Sequence, residues 1–473
     1  MVYRIHPINR CKDVSSGDVK MRACIIGAGV GGLATAIRLL QKGYKVDVYE
    51  RGYLLGGRAL SCKFDERYDS LLKKFEMRIR GMEPSLEELK ELAKGYSMDL
   101  GFHLIGGGKN GATVRLLQEI NAGVKFAGSR LGFVGERIDY PILRAGDKMA
   151  MLPRIMQLLF TRKEKIEEMK RMSVEELIEK YGRGKMNLVL RLFPRLITTV
   201  NNLQKISAGE SLFAQRELMG GHPVVYPKGG LGKISEAMAD YVKRNGGRIY
   251  LNERVRKIII EDGRARGVMA EEEREYDAVI ATMPVQHLFT VAKREEFPKE
   301  WVERIKNLEG TGSFISYHAM DGIDEKLLDK SFVIMEKNDS FDGGEVVGMI
   351  DFKMNYLNGV APHGKCLVQS YVICTPQEAR DANKMEELRE MVERNLEKLL
   401  PGYRKRMDWC IYSSICHLDG VAKTIDNEKP GVATPVKNLY IAGDSVNSKG
   451  VGVNCAVDSS RLIMEEIKTP SLL

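Results

Sequence analysis

Residues 22–50, RACIIGAGVGGLATAIRLLQKGYKVDVYE, decide the fold. Residues 22–26 form a short apolar strand, and Gly27-Ala28-Gly29-Val30-Gly31-Gly32 follows as a glycine turn. A helix comes next, with Leu33, Ile37 and Leu40 on one face. KVDVYE then alternates as a second strand and ends on Glu50. Strand, glycine turn, helix, strand and acid together make a βαβ dinucleotide-binding unit. Gly27 permits the tight turn, Gly29 lets the backbone approach a pyrophosphate, and Gly32 lets the helix pack on the strand. The helix N-terminus offers free N–H groups and a positive dipole end to phosphate. Glu50 stands eighteen residues after Gly32. A carboxylate there accepts both ribose hydroxyls and repels a 2′-phosphate, which disfavours NADP. NAD and FAD both remain open on this motif.

The next residues choose between them. Arg51 follows Glu50, and Gly56-Gly57-Arg58 comes shortly after. Two more glycines allow a second close backbone approach, and the Arg58 guanidinium can neutralise a pyrophosphate. This extension resembles the large FAD family of amine oxidases, protoporphyrinogen oxidases and phytoene desaturases.

Three later segments carry the same resemblance. Residues 226–268 read as a glycine turn, a helix from about Lys233, a strand at 248–251 and a hairpin at Glu261-Asp262-Gly263. By resemblance, Val255 holds the adenine through its backbone; read as a residue alone, it is a buried strand position. YDAVIATMPV, residues 276–285, returns the chain to the cofactor domain. In residues 438–467 a strand leads to Gly443-Asp444, and a helix starts near Gly452-Val453. The resemblance implies that Asp444 contacts the ribityl–pyrophosphate part of FAD. It also implies that the helix start faces the flavin N1/C2 carbonyl, where its dipole stabilises reduced flavin. The expected cofactor site is therefore Gly27, Ala28, Gly29, Gly31, Gly32, Glu50, Arg51, Gly56, Gly57, Arg58, Val255, Gly443, Asp444, Gly452 and Val453. The expected cofactor is one non-covalent FAD, because the flavin-linking cysteine of monoamine oxidases has no counterpart.

The implied fold class is α/β: a Rossmann-like FAD-binding domain of the GR2 type with one nucleotide fold, a mixed-sheet substrate domain and a helical cap. Residues 21–110, 224–290 and 410–473 are expected to form the discontinuous FAD-binding domain. Residues 111–223 form the cap, 291–409 the substrate domain, and 1–20 an N-terminal extension or sequence upstream of a start at Met21. Gly106-Gly107-Gly108-Lys109-Asn110-Gly111 matches the glycine pattern again. No clean strand runs into it and no strand ending in an acid follows, so it is not expected to be a second nucleotide site. Asp99-Leu100-Gly101-Phe102-His103 just before it resembles a family segment near the flavin. His103 is expected to be structural rather than to face the flavin.

Composition narrows the function. Seventy-three basic and sixty-four acidic residues leave a net charge of +9. That excess suits a plain basic surface, or attraction to an anionic membrane or ligand. No nucleic-acid motif accompanies it, so no nucleic-acid partner is expected. The eight cysteines include no C-x-x-C pair, and no His/Glu metal spacing is evident, so no metal is expected. Reduced thiols fit a cytoplasmic location. No stretch free of Asp, Glu, Lys and Arg is longer than fifteen residues, the length of 278–292, which Pro284 interrupts; that is short of the about 20 that a spanning helix needs. Peripheral contact with the inner face of a membrane remains open. The cap segment 149–171 combines apolar residues with Arg162, Lys163 and Lys165, as an interfacial segment does, or as any helical cap does.

The expected activity is FAD-dependent oxidoreduction. The phytoene desaturase and retinol saturase resemblance implies desaturation, saturation or isomerisation of C–C bonds in an isoprenoid or carotenoid-like lipid. The alternatives are an amine or protoporphyrinogen oxidase and, in another class, a non-catalytic prenyl carrier. Gly450-Val451-Gly452-Val453 lacks the aromatic cage of amine oxidases. The substrate is expected to be apolar, the electron partner is unassigned, and no side chain is marked out as catalytic.

Overall fold

The computed structural model describes residues 21–64, 68–101, 103–217 and 224–467. The opening stretch folds as a strand Arg22–Ile26, a helix Val30–Gln41 and a strand Lys45–Glu50. These two strands pair in parallel, with Cys24 opposite Asp47. Three more parallel strands complete a five-stranded sheet in the order Arg248–Leu251, Lys45–Glu50, Arg22–Ile26, Ala278–Ala281, Leu439–Ile441. A parallel sheet is covered on both faces, which explains the continuous apolar runs in its central strands. Helices Val30–Gln41, Gly232–Arg244 and Val453–Glu466 pack together on it. A three-stranded antiparallel meander, Lys257–Glu261, Arg264–Met269 and Glu273–Glu275, packs against the strand Ala278–Ala281. This is the expected α/β nucleotide fold.

A mixed eight-stranded sheet forms the second layer system. Its order is Met77–Glu83, Met407–Ile415, Gly312–Asp321, Lys365–Cys374, Glu345–Asn355, Ser331–Lys337, Leu131–Val134, Ile138–Asp139. Ser331–Lys337 and Leu131–Val134 pair in parallel; the other neighbours are antiparallel. Side chains alternate across it, as the two-residue strand period demands. Phe314 and Met320 pack with Leu388 and Leu396 of the helix Ala382–Leu399. Ile315, Tyr317 and Ala319 face the opposite way, into the core shared with Leu60 and Leu100. The sheet recruits strands from beyond the 291–409 segment. Met77–Glu83 comes from the stretch assigned to the nucleotide domain, Leu131–Val134 and Ile138–Asp139 from the cap stretch, and Met407–Ile415 runs past residue 409.

Helices Ala145–Leu159, Lys163–Glu168, Val174–Tyr181, Lys185–Thr198 and Ala208–Glu217 make the cap. They hold a small core of their own, with Ile166, Val174, Leu177 and Leu190 fully buried. Ser173 and Glu176 form a capping box that starts one of these helices. The second glycine motif is no nucleotide loop. Its strand, Ile105–Gly106, pairs antiparallel with Val224–Pro227, outside the parallel sheet. Asn454 locks the loop in place, donating to the Gly106 carbonyl at 2.7 Å and accepting from the Thr113 N–H at 2.9 Å. Residues 1–20, 65–67, Phe102, residues 218–223 of the cap stretch and 468–473 lie outside the described residues.

Candidate functional site

The glycine segments converge where the five parallel strands end. A Cβ on Gly31 would stand 3.2 Å from Gly443 Cα, and one on Gly57 would stand 3.2 Å from Gly29 Cα. These close approaches leave no room for side chains, so the four glycines line the cavity as a slot of bare backbone. Gly32 does different work: a Cβ there would meet the Gly27 carbonyl oxygen at 2.1 Å, so its role is helix-to-strand packing. Gly31 near the start of helix Val30–Gln41 and Val453 at the start of helix Val453–Glu466 line one cavity. Two helix N-termini in one cavity favour an anion.

All the expected cofactor residues except Ala28 and Gly32 line this cavity of about 370 Å³. Ala28 acts through Glu50, donating its N–H to the Glu50 carboxylate at 3.0 Å. The other carboxylate oxygen accepts from the Gly52 N–H and from Lys74 Nζ, both at 2.8 Å. Glu50 is buried. A carboxylate has about four acceptor positions, so three are taken. That leaves capacity for one ribose hydroxyl rather than the two expected. Lys74, which no local pattern marks, comes from a helix that ends beside the cavity. Arg51 lines the cavity and donates to the Lys74 carbonyl at 3.0 Å. Val255 is buried against the cavity in a loop, not in a strand.

Arg58 and Asp444 bind each other. Arg58 Nη2 meets Asp444 Oδ1 at 2.6 Å, and Arg58 Nη1 donates to the Leu418 carbonyl at 2.9 Å. The Gly420 N–H donates to Asp444 Oδ2 at 2.8 Å. Burial pushes the Asp444 carboxyl up, but Arg58 and Lys429 overcome it and hold its pKa below the ordinary carboxylate value. Neighbouring Asp419 moves the other way: burial first, then the Asp444 charge, raises it. Arg58 is thus committed to a carboxylate, and one edge of its guanidinium is already used.

Beyond the glycine slot the cavity turns apolar. Leu131, Phe193, Leu196, Ile197, Met349 and Ile415 line that end, drawn from the cap helix Lys185–Thr198 and the eight-stranded sheet. Tyr371 joins them from the sheet side. The charged lining residues of this cavity sit in the segments around the glycine slot: Glu50, Arg51, Arg58, Lys74, Glu76, Glu253, Arg254, Asp419 and Asp444. His103 does not line the cavity. It is buried, and its Nε2 pairs with Asp351 Oδ1 at 2.9 Å, consistent with a structural role. Asp351 also accepts from Ser331 and from the Lys353 N–H.

One cluster escaped the sequence reading altogether. Glu76, His287 and His417 meet at the solvent edge of the cavity. Burial lowers the pKa of both imidazoles; the other histidine adds to this at His287, and Arg58 does so at both. Their sequence separations leave no local spacing to find. None of the seven described cysteines is in a disulfide, and all are buried. Among the described residues no helix is long and apolar enough to cross a membrane.

Known proteins place this geometry in context. The family model for flavin containing amine oxidoreductases matches residues 30–467. A 4,4′-diapophytoene desaturase of Methylomonas is 35% identical over 104 residues, 21% of this chain and 20% of that protein. A zeta-carotene-forming phytoene desaturase of Myxococcus xanthus is 26% identical over 318 residues, 58% of this chain and 57% of its own length. The chain therefore spans between a fifth and three fifths of such relatives. An oxidoreductase from Methanosarcina mazei superposes with a TM-score of 0.73 at 20% identity, covering 94% of this chain and all of that one. A putrescine oxidase bound to putrescine gives 0.63 at 16% identity, covering 95% and 99%. Such structural likenesses speak for the fold alone.

Proposed function

We propose that this chain, which belongs to the flavin containing amine oxidoreductase family, holds FAD non-covalently in the glycine slot and acts on C–C bonds of an isoprenoid or carotenoid-like lipid. Membership of the family makes it an FAD-dependent oxidoreductase; the substrate class is our reading. The residues present fit the cofactor. Gly29, Gly31, Gly57 and Gly443 line the cavity with bare backbone that a pyrophosphate can approach closely, the two helix N-termini suit its charge, and Glu50 retains acceptor capacity for a ribose hydroxyl. Bound flavin supplies hydride exchange. The protein supplies orientation and dryness: Phe193, Leu196, Met349 and Ile415 exclude water from the far end of the cavity.

One observation carries the substrate reading. The cavity runs without a break from the charged glycine slot to an apolar end lined by the cap and the eight-stranded sheet. A cationic amine there would lose its hydration against Phe193, Leu196, Met349 and Ile415, which offer it no charge. A polyene loses nothing. The desaturases among the relatives agree in kind. The cap adds support for lipid delivery: Met149, Leu152, Met156 and Phe160 are exposed at helical spacing, beside Arg162, Lys163 and Lys165. We read this face as resting on an anionic membrane surface.

The test is anaerobic incubation of the flavin-loaded protein with acyclic polyenes in detergent, against putrescine and protoporphyrinogen. Flavin bleaching with a changed polyene double-bond count supports the proposal. Bleaching by the amine or porphyrinogen alone overturns it.

A further inference from the structure

We infer that Glu76, His287 and His417 form a site for a divalent cation of the zinc class at the solvent edge of the cavity. Each residue offers one ligand atom, and the three atoms lie within 4.8 Å of one another. His417 Nε2 stands 3.4 Å from Glu76 Oε2. Two ligands held at about 2.1 Å by a tetrahedral ion stand about 3.4 Å apart, so this pair already has the spacing of a tetrahedron edge. The His287 and His417 rings meet edge-on with centroids 5.7 Å apart, close enough for a small rotation to bring both nitrogens to one ion. Two imidazoles and one carboxylate are the donor set of open zinc sites, which leave the fourth position to water.

The placement of Glu76 adds a second observation. It stands just past the helix Tyr68–Lys74 with φ +53°, a backbone region that favours glycine. A long carboxylate side chain there is held against local preference, and its side chain reaches His417 rather than an arginine or lysine. The three ligands come from three places: the end of that helix, the turn Val285–Thr290 that follows the parallel sheet, and the loop after strand Met407–Ile415 of the mixed sheet. A bound ion therefore clasps the two sheet systems across the cavity edge. Arg51 and Arg58 act on the same site and oppose a dication. The affinity is accordingly expected to fall below that of closed four-ligand sites. The inference is independent of the substrate proposed above.

The test uses untagged, flavin-loaded protein dialysed against chelator, titrated with zinc chloride by calorimetry, with elemental analysis after gel filtration. One zinc per chain is expected, together with a rise in unfolding temperature. His417→Ala and His287→Ala should each lower affinity by at least about 10-fold, since losing a ligand costs no less than losing its supporting partner. Glu76→Gln, at an exposed position where folding is not at risk, should also weaken zinc binding. No stoichiometric zinc, or zinc retained at full affinity by all three variants, overturns the inference.

Discussion

Arg58→Leu tests the electrostatic heart of the site. The change removes the cation 2.6 Å from Asp444 and leaves that carboxylate with the Gly420 N–H and the charge of Lys429. Removing one partner of a fully buried pair costs about 3–5 kcal/mol. The Arg58 side chain is 25% exposed, so water relieves part of the loss. The expected penalty is about 2–3 kcal/mol. Asp444→Asn on its own leaves Arg58 its bond to the Leu418 carbonyl. The double variant should then show a coupling of about 1–2 kcal/mol. The sign with pH follows from Asp444, whose folded pKa is depressed. A depressed carboxyl contributes stability above its unfolded value of about 3.9, and that contribution is lost as pH falls through the folded value. The Arg58→Leu penalty should therefore hold steady from about pH 5 to 8 and shrink below about pH 4. Urea unfolding of the four proteins, followed by circular dichroism across that range, measures it. A coupling below about 0.5 kcal/mol, or a penalty that grows in acid, refutes the reasoning.

Gly31→Val should abolish most flavin binding with little change in circular dichroism, because its Cβ meets Gly443 Cα at 3.2 Å; full flavin content would show that the slot is not the cofactor's. Met149→Glu with Phe160→Glu should weaken sedimentation with anionic liposomes by at least about 100-fold, given about 1.5–3 kcal/mol for each apolar side chain buried. Wild-type binding should also fall with salt. Equal binding by wild type and variant would return these helices to the role of a plain cap. His103→Leu should destabilise the fold by about 1–3 kcal/mol by removing one of the donors to buried Asp351 while leaving flavin content intact. A large loss of flavin would move His103 into the cofactor site.

The nucleotide fold was readable because its parts are contiguous: strand, glycine turn, helix and acid fall within residues 22–50, where side-chain period and spacing decide. The mixed sheet was readable only in part. Gly312–Asp321 and Lys365–Cys374 are apolar enough to announce themselves. Glu345–Asn355 hides because Asp351 and Lys353 look like surface residues, although both are buried. Asp351 is paired there with His103, and Lys353 donates to the Asp329 carbonyl at 2.6 Å. Met77–Glu83, MRIRGME, is too polar to suggest a strand, yet edge position and pairing with Met407–Ile415 make it one. Long-range chemistry left no trace at all. Lys74 reaches Glu50 and Glu76 reaches His417 only after the chain has folded, and no period or spacing encodes either meeting. Arg58 and Asp444 were both marked as cofactor residues, but their mutual pairing, across 386 positions, was not.

The most direct measurement is the visible spectrum and flavin stoichiometry of the purified protein, before and after heat denaturation and filtration. One FAD per chain, released into the filtrate, is the predicted result. A colourless protein that takes up no added FAD would contradict the central claim.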